Sequence, residues 1–186
     1  MFMFDVETLG VDSHAVVLSA GLIYFEGGET YQELLDKACF VKFKSKEQIK
    51  ANRTVDLSTL EWWKNQHEYV RSCALEPSGD DLTVEQAFTV MHNYMNKIPN
   101  AQKKTMWARG SLDQIVIDHL AKKFDCQPIT GYNMWRDVRT AVDILYGTTN
   151  GYVEVNQPDF QRAAVIKHHP VHDCALDIMQ LMYGKG

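Results

Sequence analysis

The chain opens on an apolar run that carries two acids one residue apart, Phe2-Met3-Phe4-Asp5-Val6-Glu7-Thr8. In a strand, residues i and i+2 face the same side of the sheet. A strand here puts the Asp5 and Glu7 carboxylates side by side in a segment otherwise suited to burial. Like charges that close repel, and taking them out of water is costly. A hard divalent cation such as Mg²⁺ or Mn²⁺, which prefers oxygen ligands, removes both penalties. Two solvated acids at a strand end would read the same way locally, so the rest of the chain decides.

The 186 residues suit one domain spanning positions 1–186, long enough to bury a full core. No stretch reaches the roughly 20 apolar residues that a membrane helix needs. The longest candidate, 15–25, is short and contains Ser19 and Gly21. No basic segment precedes an apolar one at the start, so a cytoplasmic protein is expected. Cys39, Cys73, Cys126 and Cys174 form no C-x-x-C pair, which argues against a zinc site and suits reduced thiols. The net charge of −5 points away from a broad wrap of nucleic-acid backbone and toward local contact.

Strands are expected over 2–7, 16–24 and 39–43, joined by short connections as an antiparallel meander; 31–37 suits a helical turn. Ser58 with Glu61 reads as a capping box opening a helix, and Thr83 with Gln86 opens another. That second helix has Ala87, Val90, Met91, Tyr94 and Ile98 as its core stripe and Pro99 as its end. A strand is expected over 104–108 and a helix over 112–124, with Ile115, Val116, His119, Leu120 and Lys123 in phase. Further helices are expected over 136–146 and from Pro170 to Tyr183, separated by a polar loop over 148–161. Strands followed by mixed helix and strand indicate an α/β architecture, a central mixed β-sheet flanked by helices.

Two further groups bear on chemistry. Asp113 follows the turn Arg109-Gly110-Ser111 and falls in the first turn of a helix, where an acid also suits the helix dipole. The segment 168–177, His-His-Pro-Val-His-Asp-Cys-Ala-Leu-Asp, holds three histidines and two acids. A histidine in the loop entering a helix and an acid on that helix can serve one site, and imidazole can take a proton from water near neutral pH. Two registers fit, His168-x₄-Asp173 and His172-x₄-Asp177. The first is preferred because a small residue, Cys174, follows its Asp. Asp177 then lies one turn on, beside the site.

Taken in order, Asp5-x-Glu7, Asp113 and His168-x₄-Asp173 resemble the DEDDh branch of the DnaQ-like 3′–5′ exonucleases, which have a ribonuclease-H-like fold. Two segments, Thr59-x-x-Trp62-Trp63-x-x-Gln66 and Arg136-Asp137-x-Arg139-Thr140, are similar to a subgroup that includes phage exodeoxyribonuclease A and related exoribonucleases. The resemblance implies a metal-dependent hydrolase in which Asp5, Glu7, Asp113 and Asp173 hold two ions, Mg²⁺ or Mn²⁺, about 4 Å apart. It assigns one ion to Asp5, Glu7 and Asp173, and the other to Asp5 and Asp113. His168 is then the general base, and 5′-mononucleotides leave a polynucleotide 3′ end.

Substrate contacts are expected from Thr8 and Leu9, with Leu9 as a wedge against a base. One of the adjacent Trp62 and Trp63 is expected in the core and the other on a base, with Trp63 chosen for substrate. Arg139 is a candidate for phosphate, although Arg136 and Arg139, three apart on one helix face, equally suit ion pairs within the protein. The resemblance favours single-stranded DNA, with an exoribonuclease on the same scaffold as the alternative. A non-catalytic nucleic-acid-binding module is the third reading, and the complete set of four acids and a histidine speaks against it.

Overall fold

The computed structural model describes residues 1–99 and 105–185. Its central strand is β1 (Phe2–Thr8). Strands β2 (Val17–Tyr24) and β3 (Cys39–Lys42) follow as the expected antiparallel meander. On the other side β4 (Met106–Ala108) runs parallel to β1, and β5 (Trp135–Asp137) runs parallel to β4. The order β3-β2-β1-β4-β5 makes a mixed five-stranded sheet, and helices cover both faces, as the α/β reading requires.

The alternation of β1 divides the molecule. Phe2, Phe4 and Val6 face a core shared with α5 (Val84–Asn96) and α6 (Leu112–Lys123). Met3 faces the opposite layer, packed with α1 (Tyr31–Asp36), α7 (Val138–Tyr146) and α8 (Pro170–Tyr183). Asp5 and Glu7 share the side of Met3. A third, smaller cluster joins Leu9, Val16 and Leu18 to Trp63 of α3 (Leu57–Lys64) and to Val70 and Ala74 of α4 (Glu68–Leu75).

The crossing of α8 over the sheet is set at Gly21. A Cβ there would lie 2.6 Å from the Pro170 backbone, so a side chain of any size would lift the helix. Gly21 pairs with Asp5 across the β1–β2 ladder. The first turn of α8 is therefore delivered beside the two acids of β1. Pro170 occupies the start of the helix, where its missing N–H costs nothing.

Several expectations change. The cap of α3 is Asp56, whose carboxylate accepts the Ser58 N–H at 2.7 Å, and Ser58 lies inside the helix. Thr30 with Glu33 forms a true capping box on α1, as Thr83 with Gln86 does on α5. Residues 135–137 are strand, so Arg136 belongs to β5 and does not share a helix face with Arg139. Ile115 and Val90 are exposed, 47% and 38%; the buried stripe of α6 is Asp113, Val116, Ile117, Leu120 and Ala121. The 148–161 loop contains β6 (Glu154–Val155), which pairs with β7 (Gly184–Lys185). Lys104, placed in the fourth strand, lies outside the described residues. Among those residues no helix is long and apolar enough to cross a membrane.

Candidate active site

Three elements bring acids to one place. Asp5 and Glu7 come from β1. The chain leaves β4 through Gly110, whose φ of +85° is a conformation glycine adopts without strain. That turn starts α6 with Asp113 aimed back at β1, where its Oδ1 accepts the Val6 N–H at 3.1 Å. Asp173 and Asp177 follow on successive turns of α8. Asp113 and Asp177 are each 7% exposed.

The charges act strongly on one another. Burial, then Asp113, Glu7, Asp173 and Asp177, push the Asp5 carboxyl well above its ordinary range. Glu7 is pushed up by burial and by Asp173 and Asp113. Burial raises Asp113 to about 7, against the hydrogen bond from Val6 and the charge of Arg139. Asp173 also reaches about 7 through burial and Asp177, opposed by the His168 N–H and by Arg162 and Arg109. Acids that resist ionisation near neutral pH form a centre short of positive charge.

The preferred register of the last motif is the one the structure assembles. The His168 N–H donates to Asp173 Oδ2 at 2.9 Å. Ligand atoms of Glu7, His168 and Asp173 lie within 4.8 Å of one another. His168 takes φ +62° and packs edge-on against Trp62, ring centroids 4.7 Å apart. Burial and Lys167 lower its pKa, which favours the neutral imidazole, the form able to accept a proton. His172 turns elsewhere, with Nδ1 and the Tyr31 hydroxyl 2.7 Å apart.

Asp177 has its own partner. Arg109 grips it bidentately, Nε to both carboxylate oxygens at 2.9 and 3.0 Å and Nη2 to Oδ1 at 2.7 Å. The same guanidinium donates to Gln180 Oε1 at 2.8 Å and to the Gly151 carbonyl at 2.6 Å. Asp177 is thus paired in place, and Arg109 opposes the upward push that burial gives its carboxyl, whereas Asp5, Glu7, Asp113 and Asp173 have no side-chain ion pair among the described residues. Four carboxylates and one imidazole are a hard, oxygen-rich donor set, and they fit divalent cations. The sequence reading missed Arg109, although its position four residues before Asp113, at a strand end, was a usable signal.

The expected substrate residues divide. Trp63 is 1% exposed and its indole N–H donates to the Thr8 carbonyl at 2.8 Å, so it fixes the end of β1 and presents no ring to a base. Trp62, 42% exposed, is the accessible indole. Leu9 is 6% exposed within the third cluster and does not stand out as a wedge. Thr8 is 9% exposed and its hydroxyl donates to the Gly10 carbonyl at 2.6 Å. Arg139 is exposed, and its charge reaches both Asp113 and Asp177.

The similarity to known proteins spans nearly all of this chain. It is 28% identical over 202 aligned positions to the exodeoxyribonuclease of Enterobacteria phage T4, covering 98% of this chain and 87% of that protein. A family model described as a 3′-5′ exoribonuclease Rv2179c-like domain matches residues 1–183. The protein is a DnaQ-like, divalent-metal-dependent 3′–5′ exonuclease with a ribonuclease-H-like α/β fold, its substrate is nucleic acid, and the chain belongs to the Rv2179c-like 3′-5′ exoribonuclease domain family.

Proposed function

We propose that this enzyme trims single-stranded DNA from the 3′ end to 5′-mononucleotides, using two Mg²⁺ or Mn²⁺ ions held by Asp5, Glu7, Asp113 and Asp173. One observation carries the reading. A neutral histidine bonded through its backbone to Asp173 stands over a cluster of like-charged acids. When bound, the cations supply charge neutralisation and acidify a water for attack on phosphate.

The chain's own residues do the rest. His168 takes the proton of the attacking water, and Trp62 holds the imidazole edge-on in position. The Val6 N–H fixes the Asp113 carboxylate, and Arg109 withdraws Asp177 from ligation. Thr8, at the end of β1, borders the terminal nucleotide. The exposed indole of Trp62 replaces Trp63 as the stacking surface. Arg139, facing solvent beside the acids, meets backbone phosphate.

DNA as substrate draws support from the nearly full-length similarity to a phage exodeoxyribonuclease. RNA is the second reading, favoured by the description of the matching family. End-labelled single-stranded DNA and RNA of one sequence, each with Mg²⁺, Mn²⁺ or chelator, test both. Stepwise shortening of DNA from the 3′ end in the presence of metal is the expected result. Faster loss of RNA moves the assignment to the second reading, and no shortening of either polymer refutes both.

A further inference from the structure

The residues between the short turn Arg162–Ala164 and α8 carry His168 into the site, and side chains of α8 itself tie their backbone down. The Ile166 N–H donates to His172 Nδ1 at 3.4 Å, and the His168 N–H donates to Asp173 Oδ2 at 2.9 Å. Two amides of the incoming chain are thus held by acceptors on adjacent residues of one helical turn. His168 itself lies in the left-handed region, φ +62°. A residue with a Cβ holds that conformation only when its surroundings impose it.

The proton on His172 is placed by its partners. An amide N–H can only donate. The Tyr31 hydroxyl lies 2.7 Å from the same Nδ1. Burial and the charge of Asp173 push the Tyr31 pKa up, so the hydroxyl keeps its proton and donates as well. Nδ1 is therefore the lone-pair nitrogen, and the ring proton sits on Nε2. Tyr31 is 7% exposed and stands directly after the capping box of Thr30 and Glu33, with the Phe160 ring edge-on at 5.4 Å. On its other side the His172 ring meets His169 edge-on at 5.1 Å, and Phe40 stacks on His169 at 5.1 Å. Rings on two sides hold the imidazole, so its acceptor stays aimed at the segment before His168.

We propose that His172 is a positioning residue: with Tyr31 behind it, its Nδ1 pins Ile166 so that the loop delivers the His168 imidazole to Glu7 and Asp173. This rests on the reading of His168 as the base. The shorter bond, to Tyr31, fixes the ring, and the longer one, to Ile166, fixes the loop. A base displaced by about 1 Å costs on the order of a hundredfold in rate.

Proton–nitrogen correlation spectra of the metal-free wild type should show His172 as the Nε2–H tautomer; a proton on Nδ1 overturns the assignment without any substitution. His172→Phe keeps a ring and removes the acceptor. It should lower kcat on an end-labelled oligonucleotide about ten- to a hundredfold, with KM and Mn²⁺ affinity nearly unchanged. His172→Asn, whose side-chain oxygen can take the place of Nδ1, should restore most of the rate, and His172→Gln, whose oxygen reaches toward the place of Nε2, should not. In a His168→Ala background His172→Phe should cost nothing further, because its effect passes through the base. An equal loss in both backgrounds, or a loss that asparagine does not rescue, overturns the positioning role and leaves the exonuclease intact. A His168→Ala enzyme as fast as the wild type refutes the base assigned under the proposed function, and the positioning role falls with it.

Discussion

Replacing Asp113 by Asn should abolish hydrolysis and, in chelator, make the protein more stable. Asparagine has the shape of the carboxylate, and its carbonyl oxygen can keep the Val6 N–H bond seen at 3.1 Å. What it removes is charge. The folded protein raises Asp113 from 3.8 to about 7, so folding favours the protonated form and opposes the ionised one. That contribution is greatest below the unfolded pKa and is lost as pH rises through about 7. A shift of about three units corresponds to about 4 kcal/mol against the fold above pH 7, falling below about 1 kcal/mol near pH 4. For a chain of this length that is a melting-temperature gain on the order of 10 °C for Asp113→Asn. Thermal melts of both proteins in chelator at pH 7.5 and pH 4.5 measure it. The gain should be large at the higher pH and small at the lower. Saturating Mg²⁺ should close the gap by stabilising the wild type. An Asp113→Asn protein that melts at or below the wild type in chelator at pH 7.5 would refute the electrostatic account of the centre.

Four other outcomes are expected. Asp177→Asn should keep most of the nuclease activity, whereas Asp173→Ala should lose it; equal losses in a gel assay would contradict the His168–Asp173 register. Arg109→Leu should lower the unfolding free energy by about 3–5 kcal/mol in a denaturant titration, because it leaves Asp177 buried and uncompensated. His168→Ala should cut kcat by about 10²–10⁴-fold with Mn²⁺ affinity nearly unchanged, checked by single-turnover kinetics beside a binding isotherm. Gly21→Ala should destabilise by about 2–4 kcal/mol and depress activity with it, since the new Cβ pushes on the Pro170 backbone at 2.6 Å; circular-dichroism melts with rate measurements test both effects together.

Much of the site was legible in the sequence because its signals are local. The two-residue period of a strand places Asp5 with Glu7 whatever surrounds them. The spacing of His168 and Asp173 across a helix start, marked by Pro170, fixes their mutual reach, and Thr83 with Gln86 specifies a cap from four residues alone. The antiparallel meander follows from short connections. Other features have no local cause. β5 is three residues long, too short for any period, and exists because it lies parallel to β4. Periodicity cannot say which of two adjacent indoles turns inward; the space beneath Thr8 took Trp63 and left Trp62 beside His168. Arg109 meets Asp177 across 68 positions. The cap at Asp56 also outcompeted the box read at Ser58, since one carboxylate accepts both the Ser58 and Thr59 N–H groups. The sequence determined which groups are candidates for the chemistry and how near neighbours in the chain face one another. Tertiary structure alone decided which acid is paired with an arginine, which ring reaches solvent and where the arginines stand, because burial and charge compensation depend on partners that only the folded chain brings together.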